Sequence, residues 1–411
     1  MSHATRELSL KAFEAVQSDR GIDLARAATQ FAVLEIETPS WGYGDSGTRF
    51  KVFRKVGVPR NPFEKLEDAA VVHRLTGAAP SVALHIPWDK VDDFAALGKH
   101  AADLGLRLGA INPNVFQDDE YMLGSVCNAD AAVRRRAIDH LLECVEIMKV
   151  TGSDILSLWY ADGTNYPGQA DLRKRKHWLE EAHREVYAAL APSHRMLIEY
   201  KFFEPAFYHT DLADWGMAFN LAQKLGPQAE VLVDTGHHAQ GTNVEHIVAY
   251  LLDEGRLGGF HFNSRKYADD DLIVGAINPY ELFLIFAQIV SALREGDATA
   301  AGRTAGRIAY MIDQSHNIEP KIPAMIRSVL NCQVQYAKAL LIQWDRLEQA
   351  QAANDVMEAE ATLREAYEQD VTPWLEALHE RAGRHPQPMR AYKESGYDAQ
   401  IAERGSGGAS W

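Results

Sequence analysis

The sequence predicts an α/β fold, a (β/α)8 barrel with additional C-terminal helices. Short apolar runs rich in Val, Ile, Leu and Phe recur along the chain, helix-period stretches separate most of them, and Gly or Pro marks the joins. Strands that alternate with helices indicate parallel βα units, and a count of eight favours a closed barrel over an open sheet. A chain of 411 residues, 46% of them apolar, is long enough for such a barrel.

The elements follow one another in a regular order. The predicted strands are Phe31–Ile36, Val82–Ile86, Leu106–Ile111, Ile155–Trp159, Met196–Tyr200, Val231–Asp234, Gly259–Phe262 and Ile308–Ile312. The clearest helical patterns are Ala131–Lys149, Leu172–Leu190, Asp211–Leu225, Val244–Leu252 and Pro279–Arg294. Each strand and the helix after it fit one unit of a barrel.

Two further helical patterns, Pro323–Leu347 and Met357–Arg384, follow the eighth strand. They exceed what a barrel requires, so we expect them to pack on its outside or on a neighbouring subunit. The predicted domains are a barrel at residues 1–320 with an N-terminal helix and a loop at 41–64, a helical extension at 321–384, and a tail at 385–411. The tail ends in Gly405-Ser-Gly-Gly-Ala, and we expect its very end to be mobile.

Charge and cysteine content exclude several classes of protein. With 42 basic and 57 acidic residues the formal net charge is −15, which disfavours nucleic acid, because nucleic acid is bound through Lys and Arg. Met1–Glu14 lacks the apolar core of a signal peptide, and no apolar run approaches the length of a membrane span. Cys127, Cys144 and Cys332 form no CxxC and are interpreted as reduced core thiols. These features predict a cytoplasmic protein.

Some apparent motifs are interpreted as coincidences. Gly42-Tyr-Gly44-Asp-Ser-Gly47 satisfies GxGxxG, but the residues after it alternate and predict no helix to receive a pyrophosphate. Its Gly44-Asp-Ser-Gly47 portion resembles serine protease sequences without their partner residues. A basic cluster follows, with Arg49, Lys51, Arg54, Lys55 and Arg60 interleaved with Phe50, Phe53 and Phe63. In so acidic a chain we interpret it as a solvated loop over the barrel mouth.

Carboxylates and imidazoles are concentrated where the last four strands end, the position of functional groups in such a barrel. They are Glu199, Asp234, His237, His238, His261, Asp269, Asp271, Asp313 and His316. Because the strand ends converge, these carboxylates would repel one another and raise each other's pKa unless a cation neutralised them. One or two divalent metal ions are the simplest solution.

We predict two metal shells. Glu199, Asp234, His261 and Asp313 would form the first, and His237, Asp269 and Asp271 the second, with Asp234 close enough to bridge. In an extended segment Asp269 and Asp271 would point to one side while Asp270 points away. Such oxygen-rich shells suit Mn²⁺, Mg²⁺ or Co²⁺. Each residue alone has a simpler explanation, as Asp234 would also serve as a helix cap, but together they favour a metal site.

Aromatic residues follow the early strands. His85 and Trp88 lie at the end of the second strand, Trp159 at the end of the fourth, and the first leads into Trp41. Flat apolar faces opposite polar groups are typical of a sugar site, although Trp41 and Trp159 would also serve as ordinary packing.

The ordered segments Ile198-Glu-Tyr-Lys201, Val233-Asp-Thr-Gly-His-His238, Phe260-His-Phe-Asn263 and Asp269-x-Asp271 carry a family resemblance. From about Phe31 to the helices after Asp313, the chain resembles the broad-specificity bacterial branch of the L-rhamnose isomerases, within the xylose isomerase-like TIM barrels. The resemblance implies an aldose–ketose isomerase that converts L-rhamnose and related aldoses. It also implies two divalent cations, usually Mn²⁺ with Co²⁺, Mg²⁺ or Zn²⁺ as alternatives, and a homotetramer.

The resemblance assigns roles to individual residues. The first shell would hold the structural metal and the second the catalytic metal. Lys201 would hydrogen-bond the substrate oxygen at the carbonyl end, and His85 would contact the ring-oxygen side and assist opening. Trp159 and Trp41 would line the pocket. The loop Arg49–Phe63 resembles a segment that reaches a neighbouring subunit's site, where Phe63 is a candidate contact.

The residues fit a hydride shift between C1 and C2. Two metals would polarise the oxygens on these carbons, and Lys201 would stabilise negative charge there. Water made acidic by coordination near Asp271 or Asp313 would shuttle the hydroxyl proton. The set offers no well-placed free carboxylate base, which favours this route over an enediol.

Three alternatives use the same barrel. A metal-dependent endonuclease would need a basic groove. A ketose 3-epimerase would use two Glu as acid and base, whereas Glu199 is partnered here by Asp234. A non-catalytic sugar- or metal-binding protein would bind without turnover, and Lys201 would be dispensable. The site discriminates among these classes, and the fold does not.

Overall fold

The computed structural model describes residues 3–45, 52–202, 209–266 and 268–407. The strands are β1 Glu37–Pro39, β2 Ser81–Ile86, β3 Arg107–Pro113, β4 Ile155–Leu158, β5 Gly163–Thr164, β6 Arg195–Glu199, β7 His209–Thr210, β8 Ala229–Asp234, β9 Leu257–Phe262 and β10 Ala309–Ile312. All except β5 and β7 close into a parallel barrel, in the order β1, β2, β3, β4, β6, β8, β9, β10. The barrel confirms the predicted fold class, and β5 and β7 form a small antiparallel sheet outside it.

Helices connect the strands and continue after the last one. They are α1 His3–Asp19, α2 Leu24–Ala32, α3 Pro62–Thr76, α4 Phe94–Asp103, α5 Ala131–Thr151, α6 Leu172–Ala188, α7 Trp215–Leu225, α8 Val244–Asp253, α9 Pro279–Glu295, α10 Ala300–Ala305, α11 Lys321–Leu340, α12 Trp344–Ala352, α13 Val356–Tyr367, α14 Thr372–Arg381, α15 Pro388–Glu394 and α16 Tyr397–Ala402. Short 3₁₀ turns lie at Ser40–Tyr43, Asp119–Leu123 and Gly296–Ala298. Many helices begin after an Asp or Asn cap. One example is α9, where Asn278 is the cap and Pro279 is the first helical residue.

The first predicted strand, Phe31–Ile36, is wrong. The end of α2 and the loop after it occupy these residues, and β1 begins at Glu37. Asp23 caps α2 by accepting hydrogen bonds from two first-turn amides, and Ala27 and Phe31, one turn apart, are its buried residues. The apolar run therefore belongs to one face of a helix rather than to a strand.

The two long C-terminal helical patterns each divide into two helices. The pattern 323–347 contains α11 and the start of α12, and the pattern 357–384 contains α13 and α14. α11 packs against α2, α3 and α9, so it completes the ring of helices around the barrel. The tail forms α15 and α16, and α15 packs against α3 and α11. The division into three domains stays a prediction.

At the amino ends of the strands the buried carboxylates Glu230 and Glu37 are bonded by donors of the chain itself. Glu230 on β8 is fully buried and forms ion pairs with Arg195 at 2.7 Å and Arg307 at 2.5 Å. Glu37 on β1 accepts hydrogen bonds from the Ser81 hydroxyl at 2.9 Å and a backbone amide of β3 at 3.0 Å. Gly109 is required beside it, because a Cβ there would lie 1.6 Å from a Glu37 oxygen.

The cysteines are buried and form no disulfides. Burial raises the pKa of the Cys332 thiol. Within the described ranges, no helix combines the length and apolar character needed to cross a membrane.

Candidate functional site

Side chains from four successive barrel strands meet at the carboxyl end of the barrel. Glu199, Asp234, His261 and Asp313 each offer one ligand atom, and these atoms lie within 4.8 Å of one another. We call these residues the first group. His261 Nδ1 lies 3.1 Å from Glu199 Oε2 and 3.8 Å from Asp313 Oδ2. The structure thus brings together all four residues of the predicted first shell.

A second group shares one residue with the first. Asp234, His237 and Asp269 also offer ligand atoms within 4.8 Å of one another. His237 Nε2 lies 3.5 Å from Asp269 Oδ2 and 3.9 Å from Asp234 Oδ2. Asp234 therefore occupies the position between the groups that the sequence assigns to a bridging carboxylate.

The ring of His237 is oriented by residues at and just after the end of β6. Its Nδ1 lies 3.1 Å from the carbonyl oxygen of Tyr200, which can only accept a hydrogen bond. Nδ1, which also lies 3.1 Å from Glu199 Oε1, therefore carries a proton, and Nε2 faces Asp234 and Asp269. The Tyr200 hydroxyl lies 2.6 Å from Nε2 of His238, and both rings are buried. His238 thus holds the ring of Tyr200, whose carbonyl oxygen faces His237.

Asp271 has an unusual backbone conformation. Its φ of 45° lies in the left-handed region, so the backbone at this residue is not extended as predicted, while the orientation of Asp269 and Asp271 to one side stays a prediction. The neighbouring Asp270 accepts a hydrogen bond from the Lys266 amide at 2.7 Å. Asp271 belongs to neither group among the described residues. Its place in the second metal shell stays a prediction.

The two groups gather more negative charge than the side chains around them neutralise. Burial is the main cause that raises the pKa of Asp234 to about 7. Attraction to His237 lowers this pKa in part, and repulsion from Glu199 and other acids raises it further. Burial and repulsion from Asp269 also raise the pKa of Asp271. Burial alone would raise the pKa of Glu199, but His261 and His237 lower it to about 2.

The donor set fits divalent cations. Asp269 Oδ1 is buried and has no hydrogen-bond partner among the described residues. Gly236 leaves the space open, since a Cβ there would lie 2.9 Å from Asp269 Oδ1 and 3.1 Å from Asp234 Oδ1. Carboxylate oxygens with one imidazole in each group suit Mn²⁺, Mg²⁺ or Co²⁺. These residues could hold two such ions.

Lys201 lies beside the second group. Its Nζ is 2.8 Å from Asp269 Oδ2 and 5.1 Å from the centre of the Trp159 ring. The side chain of Lys201 is 7% exposed. A cation in this position faces the site from the side of the aromatic residues.

Aromatic rings line one side of the site in an unbroken row. Trp41 contacts His85 edge-on at 5.5 Å between centroids, and His85 stacks on Trp88 at 3.8 Å. Phe116 contacts His85 at 5.7 Å and Trp159 at 4.8 Å. Phe116 was not predicted as a site residue, although its place shortly after β3 was the available signal. The row joins the predicted pocket residues of three strands.

His85 is held by a buried ion pair that the sequence did not reveal. Its amide donates to Asp89 Oδ2 at 2.7 Å, while Lys65 Nζ lies 2.6 Å from Asp89 Oδ1. Burial and the positive charge of Lys65 lower the pKa of His85, so its ring is neutral. Nδ1 of His85 is buried without a hydrogen-bond partner among the described residues.

The remaining predicted residues are placed as follows. Trp41 Nε1 donates to Asp313 Oδ1 at 2.7 Å. Phe63 lies on α3 with its ring 5.3 Å from that of His100, and is not brought to either group. His316 contacts the Gly42 carbonyl at 3.0 Å and lies outside both groups.

The basic cluster falls partly outside the described residues. The residues of the cluster and of the GxGxxG segment that lie outside the described ranges are Ser46, Gly47, Arg49, Phe50 and Lys51. The GxGxxG segment and the loop Arg49–Phe63 are therefore described only in part. Lys55 donates to the Glu319 carbonyl at 2.5 Å, which ties the loop after β1 to the loop after β10.

Known proteins resemble the chain over most of its length. Residues 75–295 match the sequence family described as xylose isomerase-like TIM barrel. A probable sugar isomerase of Rhizobium meliloti is 44% identical over 388 residues, 93% of this chain and 89% of that protein. Another of Mesorhizobium japonicum is 42% identical over 400 residues, 95% and 91% of the two chains. The solved structure of an L-ribulose 3-epimerase shares the fold, with a TM-score of 0.55 and 15% identity over 76% of this chain and 98% of that one.

Proposed function

The chain belongs to the xylose isomerase-like TIM barrel family, and from that membership we propose that it is a metal-dependent aldose–ketose isomerase. The observation that carries the proposal is the pair of groups that share Asp234. A pair of divalent cations there, Mn²⁺ in the first place, would polarise the oxygens on C1 and C2 of a sugar. Its substrate in this proposal is L-rhamnose or a related aldose, and its assembly a homotetramer.

The chain's own residues provide the polar contacts. Lys201 would donate from Nζ to the substrate oxygen at the carbonyl end and stabilise negative charge there. His85 is neutral, so its ring can donate at one nitrogen and accept at the other. Its Nδ1 and the Nε1 of Trp159 are buried without hydrogen-bond partners among the described residues, which makes both available to sugar oxygens. These contacts would hold an open-chain sugar beside the carboxylates.

The apolar side of the site would exclude water from the reacting carbons. Trp41, Phe116 and Trp159 supply the apolar surface beside the carboxylates, since Trp41 bonds Asp313 and the Trp159 ring lies against Lys201 and Phe116. Asp313 and Asp271 are the proposed groups that take part in moving the hydroxyl proton. In this proposal Asp271 joins the second metal shell, so among the described residues at the site no carboxylate remains as a free base at C2, which supports a hydride shift rather than an enediol.

The test begins with protein stripped by chelator and returned to Mn²⁺, Mg²⁺ or Co²⁺. We expect ketose to form from L-rhamnose only after metal is returned. Asp269→Asn should abolish the reaction. The matched control is Asp270→Asn, because Asp270 lies next along the chain and its carboxylate bonds the Lys266 amide.

The outcomes separate the proposed classes. L-rhamnose deuterated at C2 should keep its label in the ketose, and loss of the label to solvent would contradict the hydride shift. Inversion at C3 of a ketose, without aldose formation, would indicate an epimerase. Binding of two metals per subunit without turnover on any aldose would indicate a binding protein. Absence of metal binding would overturn the proposal entirely.

A further inference from the structure

The main chain at Lys201 is held by the segment that follows β7. The Lys201 amide donates to the Leu212 carbonyl at 3.0 Å, and the Thr210 hydroxyl donates to the Lys201 carbonyl. The amide of Asp211 donates to the Asp162 carbonyl at 2.9 Å, beside the pairing of β5 with β7. The position of Lys201 therefore depends on where residues 210–212 lie.

Arg175 on α6 fixes that segment. Only 2% of Arg175 is exposed, and its Nη2 lies 2.7 Å from Asp211 Oδ2 while its Nε lies 3.0 Å from both oxygens of that carboxylate. The same guanidinium donates to the carbonyls of Gly163 and Leu123, each at 3.2 Å. A planar fork with several donors is suited to such a junction, and a lysine ammonium is not.

Asp162 closes the network from the other side. It accepts hydrogen bonds from the Ser125 amide at 2.7 Å, the Ser125 hydroxyl at 2.8 Å and the Cys127 amide at 2.8 Å. Cys127, Asp162 and Asp211 lie close enough together to suggest a third metal group. Both carboxylates are already bonded by donors of the chain, so this cluster is a structural network rather than a metal site.

We propose that Arg175 is a positioning residue for Lys201. By holding Asp211, it sets the main chain of Lys201 and keeps Nζ between Asp269 and the Trp159 ring, at 2.8 Å from the carboxylate and 5.1 Å from the ring centre. The inference rests on the proposed function for its catalytic consequence, because that function assigns Lys201 a substrate oxygen. Its structural part is independent of any reaction.

The first experiment measures amide hydrogen exchange in Arg175→Lys, which keeps the charge and loses the fork. We expect exchange at Lys201 and Asp211 to accelerate by about tenfold or more, with β9 unchanged. The matched control is Arg195→Lys at the opposite end of β6, where Arg195 pairs with Glu230 and donates to the Gly258 carbonyl at 2.6 Å. That control should leave exchange at Lys201 unchanged. Unchanged exchange in Arg175→Lys would overturn the proposal.

The second experiment is a double-mutant cycle on kcat with Lys201→Met. Arg175→Lys alone should lower kcat by about tenfold to a hundredfold, and it should have no further effect when Lys201 is already Met. If the fold-decreases in kcat of the two single variants multiplied in the double variant, Arg175 would not act through Lys201. If Arg175→Lys does not fold, Asp211→Asn replaces it with the same expectations. If the wild-type protein has no isomerase activity, the proposed function fails while the exchange result still decides the positioning.

Discussion

The two ends of strand β8 bury carboxylates in opposite surroundings. At the amino end, Glu230 is paired with Arg195 and Arg307. At the carboxyl end, Asp234 lies against other acids, and burial with their repulsion raises its pKa to about 7. Both carboxylates are fully buried, so the difference lies in the charges around them.

The difference indicates which end is built for the fold and which for a ligand. A buried carboxylate paired with two arginines needs no ion from outside the chain. Removing it leaves the two arginines without their counter-charge. Carboxylates gathered without enough cations lower the stability of the chain until a cation from outside offsets their repulsion. The carboxyl end of the barrel is therefore where we place the metal ions.

The largest expected effect comes from Asp234→Asn, which weakens both groups at once. We expect kcat/KM for ketose formation to fall by at least about a thousandfold, because the shared carboxylate orients both metal positions. Metal content should fall below two ions per subunit by elemental analysis. If the variant bound two ions per subunit and kept near-normal turnover, Asp234 would not be a bridging carboxylate.

Stability without metal should change in opposite directions at the two ends of β8. In chelator, Glu230→Gln should lower the free energy of unfolding by about 3–5 kcal/mol, because Arg195 and Arg307 lose their carboxylate. Asp234→Asn should leave that free energy unchanged or raise it, because it relieves repulsion. Urea unfolding in chelator measures both. If both variants lowered the free energy of unfolding equally, the proposed difference between the two ends of β8 would be wrong.

Asp68 on α3 lies between these extremes, with one arginine. It accepts hydrogen bonds from Arg404 at 2.9 Å and from the Tyr397 hydroxyl at 2.9 Å, yet burial raises its pKa to about 6. The folded protein thus binds this proton more tightly than the unfolded chain. The resulting stabilisation, about 3 kcal/mol, is complete below about pH 4 and is lost as pH rises through about 6.

Asp68→Asn should remove that pH dependence. The difference in free energy of unfolding between the variant and the wild-type protein should change between pH 4.5 and 7, as denaturant titrations would measure. A constant difference across this range would show that Arg404 neutralises Asp68 in full.

The smallest expected effect is that of Trp41→Phe. It removes the indole donor that lies 2.7 Å from Asp313 and keeps an aromatic ring against His85. Affinity for Mn²⁺ should fall about tenfold, as is typical when a hydrogen bond to a ligand is lost. Titration of stripped protein measures it. Trp88→Phe is the control, because its indole donates to Gln117, and an equal loss there would argue against a specific role for Trp41.

Much of the barrel and of the site was predictable from local pattern. Apolar runs separated by helical periods identify the strands, and closure of the barrel brings their ends together, so Glu199, Asp234, His261 and Asp313 were expected to meet. The first strand was misplaced because Phe31 belongs to a helix face, and an apolar run too short for periodicity does not distinguish helix from strand.

Contacts between residues far apart in sequence lie beyond such patterns. Three such features are the φ of Asp271, the support of His85 by Lys65 and Asp89, and the ion pair of Arg175 with Asp211. They depend on how loops and helices pack around the closed barrel. The amino-acid pattern determines which strand ends carry acids and imidazoles, because periodicity and burial are local properties. Tertiary structure determines which atoms face one another, because distances across a barrel are set by packing and by neighbouring charges that the order of residues does not contain.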